Sequence, residues 1–162
     1  MYPYPYFFTP AENQAIAYLK GSTIMPNIRG KVTFEPWGNG TRVTAEVYGL
    51  PPYSPASEGK PQVGPFGFHM HDMGNCAEGD PNKPFMGAGE HFNPTQQPHG
   101  NHAGDFPVLF SNHGFAKMCF YTDKFQPQDI IGKSVMIHQS PDDYRTQPAG
   151  DSGKRIACGV IQ

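Results

Sequence analysis

Five of the chain's seven histidines fall into patterns that could hold metal. His69-Met70-His71 comes first. In a strand, side chains two apart point to the same face, so both imidazoles can reach one ion. His91, His99, His102 and Asp105 follow, three imidazoles and a carboxylate within 15 residues. That is a closed four-ligand set for a tetrahedral ion such as Zn²⁺. The run His102-Ala103-Gly104-Asp105 sets two ligands three apart around a glycine, which suits a tight wrap in a loop. His138 ends the apolar run 134–137, and taken alone it reads as a structural histidine at a strand end. His113 lies in the turn signature Ser111-Asn112-His113-Gly114 and is given no role.

The elements that must position these groups are strands. A length of 162 residues is one ordinary domain. Nineteen glycines and eighteen prolines argue against a helical bundle and for short strands joined by loops. Period-two alternation begins at Ala15: Ala15, Ala17 and Leu19 share one face, and Ile16, Tyr18 and Lys20 the other. Ile28, Gly30, Val32 and Phe34 continue it. Residues 35–40 form a turn in which Asn39-Gly40 is the strongest signal, and 41–50 reads as the returning strand. A Pro/Ser/Gly-rich loop spans 51–65 and a short strand 67–71. A long irregular stretch from 72 to 106 carries most of the histidines, and a loop of that length in a compact domain is usually functional. Strands return at 115–121, 134–137 and 154–161. The pattern is an all-β sandwich or flattened barrel with two large loops over 15–162. Residues 1–14 form a separate Pro/aromatic arm.

Composition excludes several classes. A net charge of −2 does not suit a binder of nucleic acid through phosphate neutralisation. No apolar run approaches the ~18 residues a membrane span needs. The N-terminal run MYPYPYFFTP lacks a basic segment and is broken by prolines, so it is not expected to be a secretory signal, and the expected location is the cytoplasm.

The motifs Gly67-Phe68-His69-Met70-His71, Gly74-Asn75-Cys76, Gly89-Glu90-His91-Phe92-Asn93-Pro94, His99-Gly100 and His102-Ala103-Gly104-Asp105 occur in order. Ile130-Ile131-Gly132, His138 with Asp142-Asp143, and Arg155-Ile156-Ala157-Cys158-Gly159-Val160-Ile161 follow. In order and near spacing this series resembles the copper/zinc superoxide dismutases. Pro107-Val108-Leu109 resembles the bacterial branch.

The resemblance implies a Greek-key β-barrel of about eight antiparallel strands, with superoxide as substrate and dioxygen and hydrogen peroxide as products. It implies copper on His69, His71, His91 and His138, and zinc on His91, His99, His102 and Asp105, with His91 shared. Asp142 matches the carboxylate that ties a copper-ligand histidine to a zinc-ligand histidine. Arg155 matches the anion-guiding arginine, and Cys76 with Cys158 the internal disulfide. Three cysteines then leave Cys119 over, expected as a small buried or half-buried side chain. A homodimer is left open, since the family offers more than one dimer interface.

Two departures stand out. His102 follows His99 by three residues, where most family members place a longer stretch, so both ligands must lie in one tight turn. The segment from Asp142 to Arg155 is short and lacks alternating charges for steering, which leaves Lys154 and Arg145 to supply that field. A competing reading is a non-catalytic copper/zinc-binding module on the same scaffold. That class lacks a copper ligand or the arginine, and all of these are present here. A cupin-type metal oxygenase also places His-x-His on a strand, but needs neither the closing Arg-x-Ala-Cys-Gly strand nor the His-Ala-Gly-Asp loop.

Overall fold

The computed structural model describes residues 13–162, so the N-terminal arm read from the sequence lies outside the described residues except for Asn13 and Gln14. Seven strands are formed: β1 (Ala15–Gly21), β2 (Arg29–Trp37), β3 (Gly40–Tyr48), β4 (Phe68–His71), β5 (Ala116–Thr122), β6 (Ser134–His138) and β7 (Arg155–Val160). Among the described residues the only helical turns are two 3₁₀ pieces, Met86–Ala88 and Pro127–Ile130.

All seven strands join one antiparallel sheet in the order β4-β6-β7-β1-β2-β3-β5. The last strand returns to lie beside the first, and the connection from β3 to β4 crosses from one side of the sheet to its opposite edge. Residues 105–109 supply an irregular eighth piece. They bridge to the β4 side through Phe66–Leu109 and His69–Asp105, then lead through the Asn112–Phe115 turn into β5. One segment thus approaches both free edges and curls the sheet into a half-barrel.

Alternation decides the core. Ala15, Ala17 and Leu19 on β1, Val32 and Phe34 on β2, and Val43, Ala45 and Val47 on β3 are all buried. Phe66, Phe68 and Phe106 fill the barrel, with Phe68 and Phe106 ring centroids 5.1 Å apart. Each fully buried side chain of this size contributes about 1.5–3 kcal/mol.

Two expectations are corrected. The β2–β3 register pairs Trp37 with Gly40, so the two-residue loop is Gly38-Asn39, one position earlier than the Asn39-Gly40 signal suggests. Gly38 takes the left-handed conformation (φ 57°) as the first loop residue, where glycine is favoured. Cys119 is exposed, not half-buried. Ala116, Met118 and Phe120 take the inner face of β5, which turns Cys119 outward with Lys117 and Tyr121.

Candidate metal centre

Short β4 is buried on both faces. Phe68 and Met70 face the barrel core, while His69 and His71 face the two long loops that cover the other side. These loops are pinned to β4 by backbone pairing. His91 is bridged to His71, and Asp105 to His69. Phe92 N–H donates to Met70 O (2.8 Å), and Met70 N–H donates to Gly104 O (2.9 Å). Gly104 is needed for that approach, because a β-carbon there would strike the Met70 carbonyl. His138 enters from the end of β6. A register shift between Ile137 and His138 re-aims the chain and sets His138 opposite Arg155 on β7.

The six histidines and Asp105 form two sets sharing His91. One nitrogen from each of His69, His71, His91 and His138 lies within 4.8 Å of the others, and the same holds for one ligand atom each from His91, His99, His102 and Asp105. The rings of His69 and His91 are 4.0 Å apart between centroids, and those of His91 and His99 5.3 Å.

The donor atoms themselves fit two cations. His69 Nδ1, His91 Nε2, His99 Nδ1 and His102 Nδ1 are buried with no hydrogen-bond partner. An unsatisfied buried polar atom costs about 1–3 kcal/mol, so four directed at two points need something to bind. His71 Nδ1 donates to Gly89 O (2.9 Å), and His138 Nδ1 faces Gly153 O (3.4 Å). With hydrogens on those atoms, His71 Nε2 and His138 Nε2 present lone pairs to each other at 3.3 Å. Two lone pairs so placed repel, and a shared cation with bonds of about 2.0 Å turns the contact into attraction. Four imidazoles suit copper in both oxidation states, and three imidazoles with a carboxylate suit zinc.

Asp142 links the two sets. Its Oδ2 accepts from His69 Nε2 (2.7 Å) and its Oδ1 from His99 Nε2 (2.8 Å). These bonds fix which nitrogen of each ring is free for a metal. Burial alone pushes the Asp142 carboxyl upward, but the donors from His69 and His99 outweigh it and hold it below its ordinary value. Asp105 behaves alike: burial opposes ionisation, and the His91 hydrogen bond with the nearby His91 and His99 charges overcomes it. Burial dominates at the copper set, lowering His69 to about 4 and taking His71 and His138 well below the usual imidazole range. Neutral imidazoles are the form that ligates.

Arg155 stands beside this set. Its Nη1 donates to Phe85 O (2.8 Å) and its Nη2 to Gly89 O (2.7 Å), the carbonyl that also accepts from His71. The loop supplying both carbonyls is tied to β7 by the Cys76–Cys158 disulfide. Arg155 and His138 open on a cleft of about 580 Å³ that also carries Lys83, Lys154 and Asp151. Lys154 therefore stands where a steering charge is useful. Arg145 is not among the residues that line the cleft.

The sequence motifs contain every ligand and the linking Asp142, but not the other groups that position them. Gln147 brackets His99, accepting from its N–H (2.8 Å) and donating to its carbonyl (3.3 Å). Tyr144 Oη donates to Phe106 O and accepts from Val108 N–H, tying the 142–146 segment to the chain just after Asp105. Lys83 escapes a reading by motif because it belongs to a distant loop. Nothing in local spacing signals these contacts, which join segments tens of residues apart.

A family model described as copper/zinc superoxide dismutase (SODC) matches residues 28–161. The chain is similar to Superoxide dismutase (Cu-Zn) of Deinococcus radiodurans, 36% identical over 152 residues that cover 83% of this chain and 78% of that protein. It is 35% identical over 141 residues to Superoxide dismutase (Cu-Zn) of Legionella pneumophila, covering 82% and 77% of the two chains. It is 32% identical over 148 residues to Superoxide dismutase (Cu-Zn) 1 of Aquifex aeolicus, covering 82% and 79%.

Proposed function

The chain belongs to the copper/zinc superoxide dismutase family and is a superoxide dismutase, and from that premise we propose how its own residues divide the work. His69, His71, His91 and His138 hold copper, and His91, His99, His102 and Asp105 hold zinc. When bound, copper supplies a one-electron couple, and zinc supplies a redox-silent positive charge that shapes the loop. Two superoxide anions and two protons become one dioxygen and one hydrogen peroxide.

The protein's part is to bring in the anion, orient it and manage a proton. Lys83, Lys154 and Arg155 give the cleft its positive charge. Such focusing raises encounter rates by about 10–10³-fold, and superoxide dismutases are a standard instance. Two of the five N–H groups of Arg155 are fixed on Phe85 O and Gly89 O, which sets the plane of the guanidinium. The remaining donors can meet a diatomic anion beside His138. His91 Nε2, buried and without a hydrogen-bond partner, is the atom that can take up a proton and return it to the departing product. His91 Nδ1, 2.8 Å from Asp105 Oδ1, is held on the zinc side meanwhile.

The observation that carries this assignment is the shared Gly89 carbonyl, which places the anion-binding guanidinium directly beside copper ligand His71. Arg155→Ala should therefore keep both metals and lose about tenfold or more in kcat/KM at low ionic strength. The deficit should shrink as salt is raised, because screening removes the same attraction from the parent. Pulse radiolysis with metal analysis checks it. Unchanged kcat/KM in a fully metallated Arg155→Ala protein would remove Arg155 from the mechanism.

A further inference from the structure

The zinc ligands are not anchored alike. His99 has its second ring nitrogen on Asp142. His91 presents Nδ1 to Asp105 and Nε2 to the copper set. On the copper side His69, His71 and His138 each have the second nitrogen facing a carboxylate or a backbone carbonyl. His102 is the exception: among the described residues, its Nε2 makes no hydrogen bond, while its buried Nδ1 points into the zinc set. A metal-ligating imidazole almost always has its other nitrogen held, and that hold sets the ring's direction. For His102 the direction must come from its backbone.

That backbone is gripped by one side chain outside the ligand set. Lys124 Nζ donates to His102 O (3.1 Å), Asn101 O (3.1 Å) and Asn101 Oδ1 (3.0 Å). Three acceptors use all three ammonium hydrogens, and among the described residues Lys124 makes no ion pair. Asp105 Oδ2 takes the opposite side of the same turn, accepting from Gly100 N–H (2.8 Å) and His102 N–H (3.0 Å). The turn is thus held by a carboxylate on its N–H groups and an ammonium on its carbonyls. Local turn bonds are few, Asn101 N–H donating to Pro98 O (3.1 Å) and Asp105 N–H to His102 O (3.3 Å), and Lys124 adds to them a clamp from a distant part of the chain.

We propose that Lys124 is a positioning residue for zinc: it fixes the 101–102 carbonyls and so, with Asp105 on the facing N–H groups, aims the His102 ring, whose Nε2 no protein group holds among the described residues. The proposal deepens the zinc assignment made above and rests on it. It predicts a selective effect, because Lys124 touches no element that carries His69, His71 or His138.

The test uses copper-loaded full-length protein with Lys124→Met and Lys124→Arg variants, titrated with Zn²⁺ against a chelating dye. Copper affinity and the melting temperature of each metal-free protein are measured alongside. Lys124→Met should bind Zn²⁺ about tenfold more weakly with copper affinity unchanged, and Lys124→Arg should recover most of the loss. A merely structural lysine would lower the melting temperature without separating zinc from copper. Zinc affinity within twofold of the parent in Lys124→Met, or parallel loss of both metals, overturns the proposal. A parent protein that takes copper but no zinc overturns the zinc assignment itself, and that result appears before any substitution is made.

Discussion

Asp142→Ala should weaken copper and zinc together, by about 10–100-fold each, and take superoxide turnover with them. A single carboxylate accepts from His69 Nε2 on the copper side and from His99 Nε2 on the zinc side, both rings fully buried. Removing it leaves two buried N–H donors unpaired, at about 1–3 kcal/mol each, unless the rings turn away from their metals to find partners. Asp142→Asn would be no rescue: an amide has one oxygen acceptor, so its NH₂ must confront the N–H of one histidine. Gly150 offers an independent route to the same failure. It takes φ 69°, and a β-carbon there would collide with Asp142 Oδ1 and approach His99 Nε2 to 2.5 Å. Gly150→Ala should therefore mimic Asp142→Ala with every ligand and the carboxylate still in the sequence. Competition titrations for each metal check both variants. Loss of zinc with copper affinity intact would show that His69 does not depend on the shared carboxylate.

How far such features are readable in advance depends on their range along the chain. The ligands are legible because strand alternation and loop spacing are local: His69 with His71, and His99 through Asp105, are close neighbours in sequence. The strands are legible for the same reason, since burial on β1 and β3 follows period two. The hairpin loop reads one residue late because Asn39-Gly40 is locally favourable, whereas pairing with β2 and the tight space at Gly40 against β5 fix Trp37 opposite Gly40. Cys119 reads as half-buried because three consecutive apolar residues, Met118 to Phe120, hide the phase of the alternation that Ala116 and Met118 set. Groups that hold the site from afar leave no local trace. Lys83 reaches the cleft from the loop closed by the disulfide, Gly150 reaches Asp142 across a turn, and Lys124 reaches the zinc loop from the far end of β5.

Acid should unfold the metal-free protein well before it unfolds an ordinary β-barrel. The sign follows from which state binds more protons. In the unfolded chain His69 titrates near 6.5, while in the folded chain burial lowers it to about 4. Between those values the unfolded state binds the proton and the folded state does not, so stability is full above about pH 6.5 and is lost as pH falls toward 4. At 1.36 kcal/mol per unit, His69 alone accounts for on the order of 3 kcal/mol. His71 and His138 are driven down by the same burial, and further, so they add to the loss in the same direction. Asp105 and Asp142 are held below their ordinary values by their histidine partners, so their contribution is intact above about pH 4 and disappears below it. Both groups of residues push one way, and the sum is comparable with the ~5–15 kcal/mol that holds a domain folded. Urea denaturation of the metal-free protein should give a constant midpoint from about pH 8 to 7 and a steep decline from about 6.5 to 4. Bound copper and zinc occupy the very lone pairs that protons must reach, so the loaded protein should hold its midpoint to lower pH. A midpoint that stays level between about pH 6.5 and 4 without metal would mean that His69, His71 and His138 are not held neutral in a buried cage. The metal sites built on that cage would then have to be redrawn.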